Sequence, residues 1–83
     1  MLKKGDFVRA VQRDRIVSER NELLWVEAGD LAVVTEVHWR HTENIGRWNC
    51  DLQLFRLGVV AKGMGKYEMH KLWEKVDVTL TDR

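Results

Sequence analysis

At 83 residues the chain is read as one domain with one small core, because a chain of this size buries only roughly 60–65% of its unfolded surface. An apolar share of 45% beside 33% charged residues excludes the composition of a disordered chain. Fourteen Lys and Arg stand against thirteen Asp and Glu, a net +1, so no global field draws the protein to nucleic acid or to an anionic membrane and any basic surface must be local.

A single cysteine, Cys50, rules out an internal disulfide and fits a reducing compartment, so the expected location is the cytoplasm. Charges follow Met1 within a few positions, which argues against a signal-peptide core, and no run approaches the ~20 apolar residues of a membrane span. The expectation is a soluble chain without a membrane partner. Proline is absent, so Gly, Asn and Asp must punctuate every turn.

In chain order, Gly5-Asp6 opens a first strand from Phe7 to Val11, with Val8 and Ala10 on the buried face. Gln12 to Asn21 is charged and has no clean period; it reads as a long first loop or a splayed, poorly paired hairpin. Leu23 to Val26 then return apolar mass that closes over one end of the core. Gly29-Asp30 repeats the opening grammar and launches the most β-prone run, Leu31 to Val37, which is the expected central strand. Its apolar residues fall at both parities, so it is buried on much of both faces or carries a bulge. His38 to Arg47 reads as a long hairpin connection turning near Glu43 to Gly46.

Trp48, Cys50, Leu52 and Leu54 alternate with Asn49, Asp51 and Gln53, the pattern of a half-buried antiparallel strand. Leu57 to Lys66 reads as a greasy turn in which Val59, Val60 and Met64 look exposed. Tyr67 to Met69 is expected to resume a short strand and His70 to Leu72 to make a single 3-10 turn. A last strand runs from Trp73 toward Leu80, before a frayed tail from Thr81 to Arg83.

Five short strands, a long first loop and a one-turn helix before the last strand make an all-β fold that resembles the SH3-like small barrel, over residues 1–83 as a single domain. The resemblance rests on Lys4-Gly5-Asp6-Phe7-Val8-Arg9-Ala10, on Gly29-Asp30-Leu31-Ala32-Val33-Val34, and on Tyr67-Glu68-Met69-His70-Lys71-Leu72-Trp73-Glu74-Lys75-Val76. The order is similar to that of KOW-type domains. It also resembles small barrels of cyanobacterial and chloroplast complexes, such as the variable chain of ferredoxin-thioredoxin reductase, and short barrels of bacteriophages. What the resemblance implies is a binding module, with nucleic acid as a ligand on the KOW side. SH3-like barrels also use the cleft between the first loop and the opposite hairpin, which implies that Arg13 to Glu22 and Trp39 to Arg47 form one site.

Catalysis has little support in the residues. His38, His41 and Cys50 are acceptable zinc ligands by type, but residues three apart in a strand face opposite sides and a closed site needs four ligands, so no metal is expected. Cys50 shares the apolar face of its strand, where a thiol behaves as a small hydrophobe. Gly58, Gly63 and Gly65 lack the spacing and following helix of a phosphate loop. The expectation is a protein that is not an enzyme and holds no cofactor.

Binding surfaces are the better prospect. Four tryptophans in a short chain are many, and Trp serves both as interface anchor and as core filler. Trp48 and Trp73 adjoin core positions and read as structural, whereas Trp39, between His38, Arg40 and His41, reads as the exposed one. A nucleic-acid reading uses Arg40, His41 and Arg47 beside Trp39 and Trp48, with Arg13, Arg15 and Arg20 in the first loop; the basic residues hold phosphates and a tryptophan stacks on a base. A protein-partner reading uses Val59, Val60 and Met64 with the tryptophans and the balanced charge, and it is the favoured one. Self-association into a homo-oligomer is a further expectation, because open barrels expose strand edges.

Overall fold

Two turns of one design set the frame. Lys3 to Asp6 and Glu27 to Asp30 each place a glycine at the third position, with φ of 93° at Gly5 and 94° at Gly29, a region that side chains with a Cβ avoid. In each turn the aspartate N–H donates to the carbonyl three residues back, Lys3 or Glu27, at 3.0 Å. Each aspartate carboxylate then accepts the N–H of that same residue, at 2.8 Å from Lys3 and 2.9 Å from Glu27. The repeated Gly-Asp grammar is thus one self-bonded turn used twice.

The computed structural model describes residues 2–42 and 45–77, and of residues 40–42 and 45–47 the backbone alone. β1 (Phe7–Ala10) leaves the first turn and β4 (Leu31–Thr42) leaves the second, and the two pair antiparallel with Phe7 opposite Val33. Each turn also bonds to the other's strand. Gly5 N–H donates to Val34 O at 2.7 Å and Val34 N–H to Asp6 O at 2.8 Å; at the far end Gly29 N–H donates to Ala10 O at 2.8 Å and Ala10 N–H to Asp30 O at 2.9 Å.

Around this pair stand β5 (Ile45–Leu54), β6 (Val60–Gly65) and β7 (Trp73–Val76), giving an antiparallel sheet in the order β6-β5-β4-β1-β7. β2 (Asp14–Val17) and β3 (Leu23–Val26) form a separate hairpin that meets β6 at a single bridge, Ser18 to Ala61. The architecture is all-β as expected; the described residues add one short helix, and their two sheets are not closed into a barrel. No helix among the described residues is long and apolar enough to cross a membrane.

Several boundaries differ from the sequence reading. The described residues form seven strands rather than five. The long first loop is the β2–β3 hairpin, whose inner residues Ile16 and Val26 are buried while Val17, Leu23 and Trp25 face outward, so strand alternation and not local charge organises it. The stretch read as a greasy turn is largely β6, paired to β5, and Val59, Val60 and Met64 are half-buried rather than open. The Tyr67–Met69 strand and the 3-10 turn after it are one α-helix, α1 (Lys66–Leu72). Met69 and Leu72 bury its inner side at helical spacing, and Glu68 in the first turn with His70 and Lys71 in the last suit the helix dipole. Glu43 and Asn44 of the expected hairpin turn, and residues 78–83 with Val78, Leu80 and the tail, lie outside the described residues.

The core is one cluster. Val8 and Ala10, expected inside, are there, with Val26, Ala32, Val34, Cys50, Leu52, Leu54 and Trp73. Asp30 is tied from the next turn along, where Arg56 donates to both of its carboxylate oxygens at 2.8 and 2.7 Å, a charge-assisted fork that holds the Asp30 pKa below the usual carboxylate range.

Two outcomes follow from the frame. Gly29→Ala forces a Cβ into the positive-φ region and is expected to cost about 1–2 kcal/mol, read by chemical denaturation. Asp30 has a folded pKa below its unfolded one, so its contribution is fully present above the ordinary carboxyl range and is lost as pH falls through the depressed value. Asp30→Asn should therefore lower Tm at pH 7, and the gap to the parent protein should close on acidification.

Candidate functional site

A register shift in β4 creates the site. Val34 pairs with Leu52 and Glu36 with Asp51, so Thr35 is an extra residue on β4, a β-bulge. Before it, Ala32 and Val34 face the core; after it, the odd residues do, with Val37 opposite Cys50 and Trp39 opposite Trp48. The bulge is the second of the two alternatives that the mixed parity left open. It also turns Trp39 onto the same side as the Trp48/Cys50/Leu52/Leu54 face.

Beyond the β1 and β6 pairings, β4 and β5 continue as a two-stranded arm, and the arm and α1 bound a groove of about 520 Å³. Trp39, Trp48 and Trp73 line it, over a floor of Leu2, Val8 and Met69. Trp39 is 49% exposed, whereas Trp73 is buried and its indole N–H has no hydrogen-bond partner among the described residues. Polar lining comes from Lys66, His70 and Lys75, and no carboxylate lines the groove among the described residues. Lys75, itself exposed, lies 3.8 Å from the half-buried Asp6, a long contact for an ion pair. Lys66 and His70, one helical turn apart on α1, have no ion-pair partner there.

An apolar, aromatic concavity with a cationic rim takes a ligand that offers an apolar or flat group to the tryptophans and a negative charge to the rim. Reading Tyr67 to Met69 as a strand hid half of this site. The signal that could have found it was the helical spacing of Met69, Leu72 and Trp73 after Gly65, which sets Lys66 and His70 on one face.

The residues singled out in the sequence fall in separate places. Trp39 is in the groove. The backbone register sets Arg40 opposite Arg47 and His41 opposite Gly46 in the arm, and the side chains of Arg40, His41 and Arg47 lie outside the described residues. Arg13 and Arg15 are not beside Trp39; they flank Trp25 on the outer face of the hairpin, with guanidinium carbons 4.1 and 5.6 Å from its ring centre. No residue of that hairpin lines the groove among those described. Val59 and Met64 pack against the core, and Val60 pairs with Gln53 in β6.

The polar side of β5 is structural. A second bulge gives β6 an extra residue between Ala61 and Met64, and Asp51 accepts the N–H of Gly63 there at 3.0 Å. Its other carboxylate oxygen is 3.2 Å from His38 Nε2. Cys50 is fully buried, and that burial, aided by the charge of Asp51, pushes its thiol up to about 11, the opposite of what a nucleophile needs. Among the described residues no cluster of three His, Cys, Asp or Glu is placed to hold a metal ion.

Comparison with known proteins finds no matching family model, no matching curated protein and no matching solved structure. The site therefore has to be read from its own chemistry. For Cys50 that chemistry is inertness: the folded protein should resist a maleimide at pH 8 and label fully in guanidinium chloride, as followed by intact-mass spectrometry. Rapid labelling of the folded protein would mean that the strand pair around Cys50 opens readily.

Proposed function

We propose that the protein is a non-catalytic binding module of the SH3-like kind, which takes a segment of a protein partner in the three-tryptophan groove. The strand order supports the fold part of this reading. A sheet in which β7, β1, β4, β5 and β6 lie side by side, with the β2–β3 hairpin inserted after β1 and a short helix before β7, has the element order of an SH3-like domain. The absence of any disulfide, with Cys50 a buried free thiol, is compatible with the cytoplasm.

The observation that carries the function is the groove's apolar floor beneath three indoles. It is concave and greasy enough to bury an anchoring side chain, while Lys66 and His70 wait at the rim for a carboxylate. The ligand of this reading is a peptide with an aromatic or aliphatic anchor next to acidic residues. Elsewhere on the described surface, Arg9, Arg13 and Arg56 are each engaged by a carboxylate.

One observation favours nucleic acid as a second reading. Arg40 stands opposite Arg47 in the arm, and like charges directly opposed in a sheet are unfavourable unless an anion sits between them. Stacking of a base on Trp39 beside such an arm is the single-strand mode of recognition.

Tryptophan fluorescence separates the two. The peptide reading expects saturable quenching by acidic peptides carrying Trp, Phe or Leu anchors, and Trp39→Ala should weaken that binding roughly tenfold, about 1.4 kcal/mol, with Tm little changed. Failure of every such peptide, together with oligonucleotide binding that weakens steeply with salt, would replace this reading by the second.

A further inference from the structure

An open sheet meets its neighbours at its edges, where N–H and C=O groups lack a strand to pair with. The edges here are unequal. β6 is covered where Glu19 N–H donates to Val60 O at 2.8 Å and Ser18 bridges Ala61. β7 carries Glu74 and Lys75, each in an ion pair with a neighbouring residue, the usual protection of an edge. β3 is Leu23-Leu24-Trp25-Val26, with no charge, glycine or proline.

The hydrogen-bond phase of the hairpin decides which groups β3 offers. Bonded and non-bonded pairs alternate along an antiparallel ladder. Ser18 N–H donates to Glu22 O at 2.9 Å, so that pair is bonded. Counting along the register, Ile16 with Leu24 is bonded, while Val17 with Leu23 and Arg15 with Trp25 are not. The backbone groups of Leu23 and Trp25 therefore point away from β2, to the open edge. Arg56, held by Asp30, already donates to the Trp25 carbonyl at 3.1 Å. What remains outward is the N–H and C=O of Leu23 and the N–H of Trp25.

We propose that β3 is a self-pairing edge, on which a second copy of this chain docks its own β3 antiparallel about a two-fold axis at Leu23. Each Leu23 N–H then donates to the Leu23 carbonyl of the other copy, and the Trp25 carbonyl stays with Arg56. On the outer surface Val17, 53% exposed, and Leu23, 60% exposed, join their counterparts in one unbroken apolar row. No like charges are set opposite each other along β3. This register sets Glu22 of one copy opposite Leu24 of the other, on the face away from Trp25, Arg13 and Arg15, so no arginine of one copy is set against an arginine of the other. The proposal is independent of the groove, which lies on other elements.

A four-residue strand and one apolar row fall at the small end of interfaces, below about 1,200 Å², so the dimer should dissociate on dilution. Sedimentation equilibrium of the ligand-free protein from about 5 µM to about 500 µM should show the mass rising from 9.8 kDa toward twice that value. Leu23→Pro deletes the outward N–H while breaking no bond within the hairpin, and Leu23→Lys places two cations across the axis. Both variants should stay monomeric across the range, with far-UV circular dichroism unchanged; if one of them unfolds, the other decides. A parent protein that is monomeric throughout overturns the proposal and leaves the edge to an extended peptide of another protein. Dimers that survive in a folded Leu23 variant overturn it as well.

Discussion

The β1–β4 ladder is the constraint on which the rest of the structure depends, and two aspartate turns hold its ends. Each turn spends its backbone groups on the opposite strand and its carboxylate on its own first N–H, so neither strand can slip without breaking a turn as well as ladder bonds. A one-residue slip would also move Val8, Ala10, Ala32 and Val34 out of the core together. β7 then pairs with β1 and β5 with β4, so both wings of the sheet inherit their register from this one pair. Asp30 extends the control further. Its fork to Arg56 fixes the turn after β5, and Arg56 in turn reaches the carbonyl of Trp25 in the hairpin.

The bulge at Thr35 does a different job. In a regular strand Trp39 would lie on the same face as Val33, away from the core. One inserted residue reverses the parity and sets Trp39 opposite Trp48 on the side where α1 and Trp73 lie. The groove is thus a consequence of a single backbone irregularity, stabilised by Thr35, whose hydroxyl donates to Asp51 O at 3.3 Å. Bulges recur where a sheet has to re-aim a side chain, and here the re-aimed side chain is the most exposed tryptophan of the molecule.

Much of the fold was legible because its signals are local. Gly-Asp marked both turns, and alternation from Trp48 to Leu54 marked β5 and its buried face, including Cys50. The mixed parity of Leu31 to Val37 left a bulge as one of two alternatives, the other being burial on both faces. Two features escaped for physical reasons. β6 contains Gly63 and Gly65 and contributes its backbone more than its side chains to the sheet, so its sequence reads as a turn. α1 is a helix of 7 residues, too short for periodicity to stand out from a strand followed by a turn, and with it went Lys66 and His70. The separation of Arg13 and Arg15 from Trp39 was illegible for another reason. It depends on which way the β2–β3 hairpin leans, a property of the Ser18 contact with β6 and not of any residue in the hairpin's own alternation.

Two tryptophans are nearly equally exposed, Trp25 at 46% and Trp39 at 49%, yet they are not equivalent. Trp25 stands on the outer face of the hairpin, where Arg13 lies over its ring and Glu27 holds that arginine at 3.1 Å. A ligand seeking the Trp25 ring would have to displace a cation–π contact and disturb an ion pair. Trp39 lines a concavity whose rim carries Lys66 and His70, neither of which has a carboxylate partner among the described residues. Exposure alone therefore does not pick the ligand site. Concavity and rim charge distinguish the two, and the proposed ligand site at the arm and α1 rests on that difference, while the proposed pairing at β3 rests on backbone groups and not on a side chain.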